Sequence, residues 1–108
     1  LADYDYFPRP LPNLYIKRNE QDQTKPSTYF IELVGDVQFF VITKRINQYV
    51  EHYESGEWVS VAYPQIVFRV NTPALKKRLD EYIESLIENG YIDEDEVIIR
   101  SVLDLAQL

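Results

Sequence analysis

Apolar positions recur along this chain in two rhythms, and each predicts a different kind of element. Residues 29–34 (Tyr-Phe-Ile-Glu-Leu-Val) and 37–43 (Val-Gln-Phe-Phe-Val-Ile-Thr) are dense in aromatic and β-branched side chains, with Gly35 and Asp36 between them. Two such runs joined by a two-residue link containing glycine predict a tight β-hairpin. Tyr29, Ile31 and Leu33 then line one strand face, Phe39, Val41 and Thr43 line the partner, and Phe30 and Phe40 fall on the opposite face. Residues 14–17 predict a short first strand, followed by a polar loop over 19–27. Over 44–55 the spacing changes. Ile46, Tyr49, Val50 and Tyr53 fall at i, i+3, i+4 and i+7, a helical stripe with Thr43 as candidate cap and Gly56 as stop. The same stretch could instead pair with 58–63 as a hairpin around Gly56. Residues 58–63 and 66–70 predict two further strands, interrupted at Pro64.

The C-terminal third predicts helices. Thr72 suits the N-cap and Pro73 the first helical position, while Leu75, Leu79, Tyr82, Ile83 and Leu86 lie along one face. Asn89-Gly90 supplies the stop, with Tyr91 placed to pack back on Leu86. Asp93 and Glu96 have capping-box spacing, which predicts a last, mostly apolar helix over 97–108, with Val97-Ile98-Ile99 as an alternative strand. The result is an α+β domain over 14–108: an antiparallel sheet of four or five strands with C-terminal helices packed on one face. Leu75, Leu79, Ile83, Leu86, Ile98, Val102 and Leu105 supply the helical side of the core. Pro8, Pro10 and Pro12 make residues 1–13 an extended proline- and aromatic-rich arm.

Composition narrows the class. A length of 108 residues fits one domain, and 45% hydrophobic content with 14% aromatics fits a folded globule rather than a disordered chain. The absence of cysteine removes disulfides, thiolate metal sites and a cysteine nucleophile, and fits a reducing, cytoplasmic setting. No apolar run approaches the roughly 18 residues of a spanning helix, so no membrane role is expected. The net charge is -7, and residues 72–108 hold nine acids against four bases. Asp80, Glu81, Glu84, Glu88, Asp93, Glu94, Asp95 and Glu96 follow one another with no intervening base. Such a block repels a phosphate backbone and attracts a basic protein surface or a cation. Its bland reading is the solvated face of one helix followed by the acidic cap of the next. A calcium loop is excluded, because Val97 falls where a third oxygen ligand is required.

Other candidate chemistry is sparse. Lys76, Lys77 and Arg78 sit at the start of a helix and could receive an anion, although no glycine-rich loop precedes them. His52, the only histidine, reads as a structural residue rather than a general base. An enzyme is therefore the weakest reading, with His52 and a neighbouring acid as its only support, and no metal or cofactor is implied. The leading expectation is a small non-enzymatic interaction module (accessory subunit, inhibitor or adaptor) that presents an acidic helical surface to a basic partner. Asp80, Glu84, Glu88, Asp93 and Asp95 make the contacts, and Tyr4, Tyr6 and Phe7 of the arm form a second element. The alternative is a single-stranded nucleic-acid or nucleotide binder using sheet aromatics with Lys17, Arg45 and Arg69, which the net acidity disfavours. The apolar character of 97–108 also allows a homodimer through that segment.

Overall fold

Residues 6–17, 28–58 and 62–108 are described by a computed structural model. Strand β1 (Leu14–Lys17) leads to β2 (Thr28–Leu33), helix α1 (Phe39–Ser55), β3 (Gln65–Arg69), α2 (Pro73–Glu88) and β4 (Ile99–Val102), and the chain closes on a 3₁₀ turn at Leu105–Gln107. The fold is α+β, and its sheet has four strands in the order β1-β2-β3-β4. The sheet is mixed rather than antiparallel: β1 runs antiparallel to β2, while β2, β3 and β4 run parallel to one another. Parallel neighbours cannot be joined by a tight turn, and here α1 and α2 are the two crossovers.

The hairpin expected around Gly35-Asp36 does not form. Phe39 begins α1, and the 37–43 run contributes a helical turn in place of a strand. The reason lies in a stripe that continues backward from Tyr49 and Ile46 through Ile42 to Phe39, at helical spacing. Ile42, Ile46 and Tyr49 are buried along it, whereas Phe40 is 62% exposed. Gln38, not Thr43, occupies the N-cap, and Gly56 ends the helix in the left-handed conformation (φ 73°), as expected of the stop residue. β2 takes β3 as its partner instead, in the register Phe30–Ile66, Ile31–Val67 and Glu32–Phe68. Tyr29, Phe30 and Ile31 are all buried in succession, as are Ile66, Val67 and Phe68. Consecutive buried residues mark strands covered on both faces.

One face of the sheet carries both helices. Phe30, Ile66, Phe68 and Ile99 form a continuous core there with Ile42, Ile46 and Tyr49 of α1 and Leu79 and Ile83 of α2. On the other face Tyr29, Ile31, Val67 and Val102 cluster with Ile16, Leu105 and Leu108. The helix expected over 97–108 is thus replaced by β4 and the 3₁₀ turn, and its residues divide between the two faces. Asp93 makes only a local turn, its carbonyl accepting from the Glu96 and Val97 amides. The β-branched run that follows enters the sheet as a parallel edge strand. Of the apolar residues over 97–108 that suggested a homodimer, Val97, Ile99 and Val102 are buried within the protein itself. Of the strand expected at 58–63, residues 59–61 lie outside those described, and residues 58, 62 and 63 are not in a strand.

α2 has the expected bounds. Thr72 Oγ1 accepts from the Leu75 amide, and Pro73 opens the helix. At its end the Gly90 amide donates to Ile87 O and the Tyr91 amide to Leu86 O, with Gly90 at φ 79°. These two bonds form a Schellman stop. Tyr91 itself is 70% exposed, and the residue that packs inward is Ile92.

Ile99 and Ile98 discriminate the strand from the expected helix. Ile99→Ala should cost about 2–5 kcal/mol in denaturant unfolding, as for other buried isoleucines, and Leu79→Ala a similar amount. Ile98→Ala should cost less than about 1 kcal/mol, within the range of half-exposed sites. Equal costs at Ile98 and Ile99 would contradict the strand.

Candidate functional site

Three polar clusters tie the helices to the sheet or to the segments beside it. The first is centred on Glu32, which alternates with Phe30 along β2 and so faces α1. Its carboxylate receives Arg45 Nε at 2.9 Å on one oxygen, and Arg45 Nη2 at 3.2 Å and the Tyr49 hydroxyl at 2.6 Å on the other. Arg45 also donates to Gln48 Oε1 at 3.1 Å and to the Pro10 carbonyl at 2.7 Å. The Glu32 and Arg45 side chains are only 14% and 11% exposed, and the guanidinium lies 4.4 Å from the centre of the Tyr49 ring. Bidentate pairing with added hydrogen bonds is what a buried ion pair requires to offset its desolvation. Burial, followed by the adjacent Glu32 carboxylate, pushes the Tyr49 hydroxyl well above the ordinary tyrosine range.

The second cluster holds residues 6–7. His52 Nε2 lies 2.7 Å from the Tyr6 carbonyl, which can only accept, so Nε2 carries the proton. In the neutral ring Nδ1 then accepts from the Tyr63 hydroxyl at 2.8 Å. Phe7, expected to present itself to a partner, is instead 4% exposed. It packs edge-on against Tyr15, Phe30 and Trp58, with ring centroids 5.1–5.6 Å away. Tyr6 stacks at a tilt on Trp58. Tyr4 lies outside the described residues. Burial raises the Tyr63 hydroxyl as well.

The third cluster joins α2 to β4 and contains the acidic residues. Ser101 of β4 is buried and donates to Asp80, whose other oxygen receives Lys76 Nζ at 2.7 Å. Beyond it, Asp80, Glu84 and Glu88 follow one another at i, i+4 and i+8 on α2. They line a groove of about 390 Å³ together with Glu94, the apolar side chains Ile83, Ile87 and Ile99, and Arg100. Four of the eight acids of the sequence block thus share one concavity. Asp93 and Asp95 do not line it. Asp93 Oδ1 accepts from the Asp95 amide, which fixes the turn. The basic triplet does not converge: Lys76 is bound to Asp80, Arg78 lies 4.0 Å over the Phe39 ring, and Lys77 is exposed. Successive helix residues point about 100° apart, so three in a row cannot share one anion.

Beside the groove, β4 ends the described sheet. Ile98 O accepts from Ile66 N and Val102 O from Val70 N. The alternation of a strand then turns the N–H and C=O groups of Ile99 and Ser101 away from β3, toward the open edge. The exposed aromatic sheet face expected of a single-strand binder is absent among the described residues, because Tyr29 and Phe30 are buried and Arg45 is engaged with Glu32. Among the described residues no three His, Asp or Glu side chains are grouped to hold a metal ion, and no helix is long and apolar enough to cross a membrane. No protein-family model, curated protein or solved structure matches the chain.

Glu32, Gln48 and Ser101 carry no candidate role in the sequence reading, and Glu94 enters it only as a member of the acidic block, not among the contact residues. For Glu32 and Ser101 a signal exists. Each is a polar residue on the inward-facing alternation of its strand, two positions from a buried apolar residue, and a buried polar group needs a partner.

Two predictions follow from the polar clusters. Glu32→Ala leaves Arg45 buried without its counter-charge and should cost about 3–5 kcal/mol. Adding Arg45→Ala should cost less than the sum of the single changes, and strict additivity in denaturant unfolding would contradict the coupling. The second concerns pH. A phenol whose folded value is raised keeps its proton where the unfolded chain loses it, so its contribution is intact below about pH 10 and is lost as pH rises further. Phenolate absorbance should show Tyr49 and Tyr63 ionising only as the protein unfolds in alkali. Ionisation of all nine tyrosines in the intact fold would overturn that assignment.

Proposed function

We propose that this chain is a protein-interaction module that receives an extended, basic segment of a partner alongside β4. The observation that carries this reading is the conjunction of an acidic groove and an open strand edge. Asp80, Glu84, Glu88 and Glu94 surround an apolar floor of Ile83, Ile87 and Ile99, and the outward N–H and C=O groups of Ile99 and Ser101 lie beside it. An added strand gains main-chain hydrogen bonds from such an edge, and its alternate side chains reach the adjoining groove. Lys or Arg at alternate positions matches the carboxylates in charge, while the aliphatic stems of those residues suit the isoleucine floor. Asp80 has a second task, since its bonds to Ser101 and Lys76 fix α2 against β4. Glu84 and Glu88 are exposed and tied to no partner among the described residues. They are the residues free to select a ligand.

The test is binding of a library of short extended peptides with Lys or Arg at alternate positions, read by fluorescence anisotropy, with Asp/Glu counterparts as controls. The basic peptides should bind and weaken as salt rises, because exposed charge attraction is screened. Glu84→Lys with Glu88→Lys should abolish binding while moving the thermal midpoint by no more than a few degrees, since both side chains are exposed. Unchanged peptide binding by the double variant would refute the reading.

A further inference from the structure

A second concavity lies at the opposite end of the polar network, where β2 runs out and α1 begins. It encloses about 390 Å³ and is bounded by Pro10 and Leu11 of the N-terminal segment, the end of β2, the 34–37 loop, one side of α1 and Phe68 of β3. In sheets with parallel strands, ligands commonly bind outside the carboxyl ends of the strands, and the volume lies within the range of small-molecule pockets. Its surroundings are unusually apolar for an exposed region. Leu11, Leu14, Leu33, Val37, Phe40 and Val41 are six of the nine exposed large hydrophobic residues described, and four of them line this cavity.

The polar groups of the lining are unequal in kind. Its side-chain acceptors are committed: both Glu32 oxygens to Arg45 and Tyr49, Asn13 Oδ1 to the Leu33 amide at 2.7 Å, and Gln48 Oε1 to Arg45. Those bonds also fix the orientation of both amides, because a donor faces each oxygen. The donors remain. The amide nitrogens of Asn13 and Gln48 and the Lys44 ammonium have no bonding partner among the described residues. Arg45 Nη1 carries two N–H groups and gives one to Gln48. The Glu32 charge is neutralised by its bidentate pair with Arg45, so Lys44 leaves a positive balance at the rim.

From this inventory we infer that the cavity binds a small monocarboxylate with an apolar tail. The tail lies against Leu11, Leu33, Val37 and Val41, displacing water from exposed apolar surface. The carboxylate supplies the acceptors that the Asn13, Gln48 and Lys44 donors lack. A cation finds no unspent side-chain acceptor there, and a neutral aliphatic leaves the donors unmatched. The inference is independent of the acidic groove, which lies along α2 and β4.

Titration calorimetry and amide shift mapping of the full chain with octanoate, 1-octanol and octylamine test it. Octanoate should bind, with shifts centred on residues 33–48, and about tenfold or more tighter than either analogue, the scale of one charge-assisted hydrogen bond. Lys44→Glu should weaken octanoate by a similar factor. Val41→Trp, at an exposed helix position, should fill the cavity and abolish binding with little change in thermal midpoint. Absence of octanoate binding, equal binding of 1-octanol or octylamine, or binding that survives both substitutions would overturn the inference. So would a concentration-dependent dimer that Val41→Trp dissociates while octanoate fails to bind, for a second copy would then be the occupant.

Discussion

The structure depends on one constraint, the burial of β2 and β3 on both faces. Phe30, Ile66 and Phe68 point toward the helices, while Ile31 and Val67 point the opposite way, and all five are essentially inaccessible. A strand apolar on both sides is stable only with a layer over each. Parallel pairing brings a crossover with it, and the crossover supplies one layer. α1 covers β2 and β3 on one face, α2 extends that layer to β4, and the C-terminal turn brings Leu105 and Leu108 to the other. The groove beside β4 exists because the same arrangement leaves that strand at the edge, with α2 alongside it.

The polar residues in this interior set register and attach the chain ends more than they add net stability. A buried ion pair such as Glu32–Arg45 roughly balances desolvation against attraction. Its consequence is geometric: Arg45 bridges β2, its own helix and the Pro10 carbonyl, so the N-terminal segment, the sheet and α1 are held at one point. His52 does the same farther along α1 through Tyr6 and Tyr63. Ser101 and Asp80 repeat the pattern between β4 and α2. Each crossover helix therefore carries at least one polar tie to the strand beneath it.

What the sequence revealed follows from how local each signal is. α2 was legible to the residue, since Thr72, Pro73 and Asn89-Gly90 act within one turn of their own positions. The sheet order was not. A run such as 29–34 satisfies both a hairpin strand and a central parallel strand, and only the succession Tyr29-Phe30-Ile31, apolar on both faces, favours the second. Over 37–43, alternate spacing within seven residues hides a helical stripe that becomes evident only when extended to Tyr53. Of the acidic block, Asp80, Glu84 and Glu88 could be placed on one helix face from spacing alone. Glu94 joins them through a turn whose path no local pattern records, and Asp93 leaves them for the same reason. Phe7 lay in a proline-rich stretch that resembled a free arm. Its burial depends on an aromatic pocket assembled from β1, β2 and Trp58, the last two distant in sequence.

Amide hydrogen exchange at Ile99 and Ser101, measured with and without a basic extended peptide, tests the central claim most directly. In the free protein these two amides should exchange faster than those of Arg100 and Val102, which face β3. With peptide bound they should become protected while Arg100 and Val102 remain unchanged, as strand addition at the β4 edge requires. Saturating peptide that leaves Ile99 and Ser101 exchanging at their free rates would contradict the account, because the ligand would then be held somewhere other than the open edge.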